Sequence, residues 1–199
     1  MSKSELLKVY SEMLKLYLRL KSDDKISESE VLRIYREYLM LSMKISFNSP
    51  SFIEDRDNYK NGNGNCYCYA MGFNTPRIIG KKYFESCSRI LRHNVGFISG
   101  IPCYNDRKSA IRALESDLRC LNIEFYECEL DSENKHGGYK IAIFNAPYDV
   151  HLIRQNVDGT WSHKMGYTDT IERVDMEKHE IFESYKYIKT LEIVKPVVR

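Results

Sequence analysis

The stretch DVHLIRQNVDGTWSHKMG, residues 149–166, predicts a β-hairpin and indicates the fold class of the second half of the chain. Apolar and polar side chains alternate on both sides of Asp158-Gly159, a dipeptide typical of tight hairpin turns. The first predicted strand opens with His151 and the second carries His163. The hairpin therefore predicts that the two histidines lie on neighbouring strands.

The same period-two pattern recurs on both sides of this hairpin, whereas the sequence before it has the period of helices. Predicted strands cover residues 123–130, 139–145, 150–155, 160–163 and 187–194. Predicted helices cover residues 66–72, 82–92 and 106–121. Helices followed by an antiparallel sheet are typical of the α+β class.

The first 46 residues predict a helical hairpin, because two capping boxes each precede an apolar stripe at helical spacing. The capping boxes are Ser2 with Glu5 and Ser27 with Glu30. A run of helix-breaking residues follows, so we divide the chain into a helical extension, 1–46, and a domain, 52–199. We expect the extension to be an appendage that packs on the domain or recruits a partner.

Charge and composition narrow the class of protein. The 199 residues carry 30 basic and 28 acidic side chains, dispersed along the chain, so nucleic acid is not an expected partner. The sequence has neither an apolar run of the roughly 18–20 residues that a membrane span needs nor a signal-peptide pattern. We expect a cytoplasmic protein, or one delivered without a Sec signal, whose six cysteines are reduced.

The segment NGNGNCYCYAMG, residues 61–72, places Cys66 where a polar loop becomes a short apolar helix. A helix N-terminus lowers the pKa of a thiol and offers N–H groups to an oxyanion. These features predict a nucleophile at Cys66, although a buried cysteine that only packs is the alternative. Cys68 is expected to pack, and a Cys-x-Cys pair is not a zinc spacing. We expect no metal and no cofactor.

A cysteine nucleophile needs an imidazole to take its proton and a polar group to orient that imidazole. His151 and His163 on one hairpin satisfy this requirement, and a strand histidine with a satisfied hydrogen bond is the alternative for each. Trp161, the single tryptophan, is expected either to pack in the core or to form a wall of the cleft.

With these segments, residues 65–175 resemble the papain-like cysteine peptidase superfamily, particularly its NlpC/P60 and CHAP branches. In those branches a cysteine on a helix precedes a histidine on a strand. The chain is also similar to bacterial and phage proteins with NCY...YA and WSHK.G blocks. The resemblance implies that Cys66 is the nucleophile, that His151 is the general base and that His163 is the third polar group.

The sequence therefore predicts a papain-like cysteine hydrolase or acyltransferase of the peptidase or amidase class, which acts on a protein or peptide-like substrate. The bond cleaved would be an amide, an isopeptide or a thioester. Backbone N–H groups at Cys66, helped by the Asn65 or Tyr67 side chain, would hold the oxyanion. The alternative from another class is an inactive papain-like scaffold that binds a partner. A metal-dependent nuclease is disfavoured, because the sequence has no paired acidic site and no basic stripe.

Overall fold

The computed structural model confirms the α+β class. It describes residues 3–22, 27, 29–30, 33–34, 37–38, 40–41, 65–73, 94–104, 106–147, 149–166, 170–176 and 184–194. The helices that it bounds are α1 (Lys3–Ser22), α2 (Cys66–Met71) and α3 (Arg107–Cys120). The strands are β1 (Glu124–Cys128), β2 (Tyr139–Ala146), β3 (Asp149–Gln155), β4 (Trp161–Lys164), β5 (Ile171–Val174) and β6 (Lys186–Val194).

All six strands form one sheet in the order β1-β6-β2-β3-β4-β5, and every neighbouring pair is antiparallel. The predicted strands correspond to β1–β4 and β6, and the predicted hairpin joins β3 to β4. The sequence pattern did not predict β5, because only the first and last residues of this strand are buried and it shows no period of two. The helix expected over 82–92 lies outside the described residues.

Helices α2 and α3 are fixed by capping side chains. The side chain of Asp106 accepts hydrogen bonds from the N–H groups of Lys108 and Ser109 at the start of α3. At the start of α2, Asn65 Oδ1 accepts from the N–H of Cys68 at 3.1 Å. Gly72, with φ of 68°, ends α2 in the left-handed conformation that glycine adopts most readily. Cys66 is therefore the first residue of a capped helix, as the sequence predicted.

The sheet buries apolar side chains on both faces, because successive residues of a strand point to opposite sides. The first cluster joins side chains of α2 and α3 to one face of the sheet and includes Tyr67, Leu114, Leu118, Ile141, Ile143, Val150, Leu152, Leu191 and Ile193. The second cluster lies on the other face and comprises Ala142, Phe144, Ile153, Trp161 and Val174, with Leu130, Met176 and Tyr185 packed against it.

The N-terminal segment is helical over α1 and at the described residues between 29 and 41. Its buried side chains Met13, Ile34, Tyr38 and Leu41 belong to the first cluster. The division between residues 1–46 and 52–199 stays a prediction, but this shared burial leads us to expect that the extension stabilises the core. In the described part of the chain, no helix combines the length and the apolar character needed to cross a membrane.

Two adjacent residues of α1 test this contribution. Met13 is 8% exposed and Leu14 is 55% exposed. Met13→Ala should lower the free energy of unfolding by about 2 kcal/mol or more, whereas Leu14→Ala should change it by about 0.5 kcal/mol or less. Urea unfolding followed by circular dichroism and tyrosine fluorescence measures both. Two separate transitions, of which Met13→Ala moves only one, would show that the extension is an independent appendage.

Candidate functional site

The candidate site lies on one edge of β3. Strand β4 pairs with β3 through Arg154 with Ser162 and Gln155 with Trp161, so the β4-facing side of residues 149–152 extends beyond this pairing. We call that side the β3 edge. Backbone groups that are buried there need other hydrogen-bond partners. Side chains of α2 and of β3 itself supply them.

The N-terminus of helix α2 contacts the β3 edge through Cys66, the first residue of the helix. The Cys66 thiol donates a hydrogen bond to the Val150 carbonyl oxygen, with 3.8 Å between sulfur and oxygen. The N–H groups of Leu152, Tyr67 and Cys66 also approach the sulfur and favour its thiolate form. Cys66 is only 8% exposed. The sulfur therefore lies in a nearly closed pocket of backbone groups.

Burial decides the ionisation of this thiol. Burial, with a smaller contribution from the carboxylate of Asp149, raises the pKa of Cys66 to about 11, in spite of the N–H groups that lower it. The sequence led us to expect a lowered pKa from the helix N-terminus alone. In the structure the cost of burying a charge exceeds that benefit. The resting thiol is therefore protonated at neutral pH.

The two histidines of the hairpin form a hydrogen-bonded pair. His151 Nε2 and His163 Nδ1 are 2.8 Å apart, and the rings meet edge to face with centroids 5.0 Å apart. Both residues are buried. Burial, and secondarily the neighbouring His163, lowers the pKa of His151 to about 3. Burial also lowers the pKa of His163, whereas the charge of Glu172 opposes this shift. A neutral pair in which one ring donates and the other accepts is the state at pH 7.

The imidazole of His151 points away from α2. His151 lies directly opposite Phe144 of the second cluster, whereas Val150 and Leu152 face the first cluster. The Cys66 sulfur therefore lies beside the backbone of His151 with the imidazole on the other face of the sheet. Among the described residues, no hydrogen bond joins the thiol to His151, whose partner is His163.

Tyr185 and Asp149 link the surroundings of the Cys66 thiol to those of the His151 ring. Neither residue was predicted from the sequence as part of the site. The Tyr185 hydroxyl donates to Asp149 Oδ2 at 2.8 Å, and its ring centroid is 5.7 Å from that of His151. Burial raises the pKa of Tyr185 to about 12, with further contributions from Asp149 and from charge at Cys66. Asp149 lies two residues before His151 in sequence, but Tyr185 reaches the site only through the tertiary fold.

The remaining predicted site residues support the scaffold. Asn65 caps α2, and its amide donates to Asn94 Oδ1 at 3.3 Å. The Tyr67 hydroxyl donates to Asp117 Oδ2 at 2.6 Å in the first cluster. Trp161 packs in the second cluster and is 7% exposed. Both side chains are therefore engaged in the scaffold, which leaves the backbone N–H groups at the start of α2 as the candidate donors to an oxyanion.

The described residues contain no group of three or more His, Cys, Asp or Glu side chains arranged as metal ligands. Comparisons with family models, curated proteins and solved structures give no match to this chain. A functional hypothesis therefore depends on the residues of the site and on the motif resemblance described above.

Because the Cys66 thiol is protonated at neutral pH, its rate of alkylation should depend on pH. We expect the rate at which iodoacetamide alkylates Cys66 to rise about tenfold per pH unit up to a midpoint near pH 11. Exposed Cys120 should react before Cys66 at pH 7 to 9, as quantitative peptide mapping would show. A Cys66 rate that is already constant between pH 6 and 8 would instead reveal an ionised thiol.

The lowered pKa of His151 predicts that the folded protein loses stability in acid. Below pH 6.5 the unfolded chain binds a proton at His151, which the folded chain excludes until about pH 3. The free energy of unfolding should therefore fall as the pH falls through this window, by up to about 1.4 kcal/mol per pH unit from this group. His151→Gln should show a smaller difference in stability between pH 7 and pH 4 than the wild type.

Exposed Leu14 of α1 provides the control, because Leu14→Ala removes no titratable group and should leave the wild-type difference between pH 7 and pH 4 unchanged. Urea unfolding at the two pH values measures all three proteins. Equal differences in the wild type and in His151→Gln would mean that folding does not exclude the proton from His151.

Proposed function

We propose that the protein is a papain-like cysteine hydrolase or acyltransferase that acts on an amide, an isopeptide or a thioester bond. The observation that supports this most is the 2.8 Å contact between His151 and His163, since His151 belongs to the strand whose edge Cys66 contacts. A nucleophile at a capped helix start, an imidazole on the adjoining strand and a second imidazole that orients the first are the components such an enzyme requires.

In the proposed reaction, the Cys66 sulfur attacks the substrate carbonyl carbon and His151 accepts the thiol proton. In the proposal the thiol first leaves the Val150 carbonyl, and a rearrangement at the β3 edge brings it to the imidazole, which faces away from α2 in the resting structure. Because the raised pKa of Cys66 and the lowered pKa of His151 favour neutral groups, proton transfer accompanies attack rather than preceding it. His163 holds the ring of His151 through the hydrogen bond at Nε2.

The oxyanion that forms on the carbonyl oxygen would be held at the start of α2. The N–H groups of Cys66 and Tyr67 already point at the sulfur, and N–H groups at this position suit a developing negative charge. The N–H of Cys68 is bonded to Asn65 and serves the cap. Return of the proton from His151 to the leaving group gives an acyl-enzyme, which water or an amine then resolves.

A second function, a binding protein on an inactive papain-like scaffold, is favoured by the hydrogen bond from Cys66 to Val150 and by the raised thiol pKa. A cysteine in this state contributes to packing as a small apolar residue. The two functions differ in one observable property. Only the enzyme forms a covalent bond to an acyl group at Cys66.

Intact-mass spectrometry after incubation with a panel of peptidyl thioesters distinguishes these functions. The wild type and Cys68→Ala should gain the mass of the acyl group, and Cys66→Ala should not. His151→Ala should slow acylation at least about a hundredfold, because it removes the base. His163→Asn should retain measurable acylation, because it removes only the orienting group.

Thermal unfolding of each variant verifies that the fold is intact. Acylation of Cys66→Ala at the wild-type rate would exclude Cys66 as the nucleophile. Equal losses in His151→Ala and His163→Asn would mean that the two histidine roles are misassigned. No adduct on the wild type from any thioester would favour the binding scaffold.

A further inference from the structure

Asp149 lies on the same strand edge as the Cys66 thiol. In an extended strand, the N–H and C=O groups of one residue point to the same side. The Val150 N–H donates to Asp149 Oδ1 at 2.9 Å, and the Val150 carbonyl accepts from Cys66 at 3.8 Å. The carboxylate and the thiol are therefore neighbours along one side of β3.

The carboxylate of Asp149 is held in place and remains open to a ligand. Among the described residues, Tyr185 donates to Oδ2 at 2.8 Å and Val150 donates to Oδ1, and with these bonds each oxygen keeps a lone pair that can accept a further hydrogen bond. Asp149 is exposed, whereas Cys66 and His151 are buried. A substrate that approached the thiol along this side of β3 would meet the carboxylate.

This position is unfavourable for activating the thiol. A negative charge beside Cys66 opposes its ionisation, and Asp149 indeed contributes to the raised pKa of the thiol. Another carboxylate lies on the far side of the imidazoles, with Glu172 Oε2 4.0 Å from His163 Nε2. Negative charge around a reactive thiol is useful when the ligand is positive, because it attracts the ligand and repels anions.

We infer that Asp149 makes the Cys66 site selective for a positively charged group, an ammonium or a guanidinium, carried by the substrate beside the reacting carbonyl. Either cation would donate hydrogen bonds to the open side of the carboxylate. The inference rests on the proposed function, because it names the substrate class for the same thiol. Its test uses the thiol itself and requires no turnover.

Two methanethiosulfonate reagents of similar size and opposite charge measure the selectivity. The thiolate attacks the reagent sulfur, a mixed disulfide forms and methanesulfinate leaves with the electron pair. At each cysteine, the rate of the trimethylammonium-ethyl reagent is divided by the rate of the sulfonatoethyl reagent. We expect this rate ratio to be higher at Cys66 than at exposed Cys120. Asp149→Asn should reduce this rate ratio about three- to tenfold, at low ionic strength where charges are least screened.

The ratio of the two rates separates selectivity from thiol ionisation. A change in the pKa of Cys66 alters both rates equally and cancels in the ratio, whereas loss of the carboxylate charge alters them in opposite directions. Tyr185→Phe removes the hydrogen bond and keeps the charge, so it should keep most of the ratio. Glu124→Gln removes an exposed carboxylate of β1, three strands away in the sheet, and should leave the ratio unchanged.

The outcomes also separate this inference from the proposed function. A ratio in Asp149→Asn equal to that of the wild type, with Cys66 still modified, would overturn the selectivity and leave the nucleophile assignment intact. Failure of both reagents and of neutral iodoacetamide to modify Cys66 at pH 10, while Cys120 reacts, would overturn both proposals, because no substrate would reach the thiol.

Discussion

The site depends on one constraint, which is that buried backbone groups on the β3 edge need hydrogen-bond partners. Strand β4 supplies them beside Arg154 and Gln155. Further along, the thiol of Cys66 bonds the Val150 carbonyl and the carboxylate of Asp149 bonds the Val150 N–H. The same contacts that complete the sheet thus bring a thiol, a carboxylate and the His151 backbone together.

The position of α2 on this edge depends in turn on a buried carboxylate. Asp117 Oδ2 accepts from the Tyr67 hydroxyl at 2.6 Å and from the Gly96 N–H at 2.7 Å, and Oδ1 accepts from the Ser99 N–H at 2.7 Å. These bonds tie α2 and the 94–101 segment to α3. Gly96 has φ of 93°, and a Cβ there would overlap the Ile101 carbonyl oxygen, so only glycine fits.

Burial sets the electrostatics of the proposed active site. It raises the pKa of Cys66 and lowers the pKa of His151, so both groups are neutral at pH 7. For the proposed papain-like reaction, a neutral thiol and a neutral imidazole imply general-base catalysis rather than a preformed thiolate and imidazolium. The nearly closed pocket around Cys66 also means that ligand binding and thiol reorientation are coupled in this proposal.

The sequence by itself determined the α+β class, the capped helix that begins at Cys66 and the hairpin that pairs His151 with His163, because capping, turn residues and alternation are local signals. It did not reveal β5, whose four residues lack alternation. Only the tertiary structure decided that Tyr185 reaches Asp149 and that the His151 ring faces away from α2. It alone also decided the high pKa of Cys66, because the burial that raises it comes from residues distant along the chain.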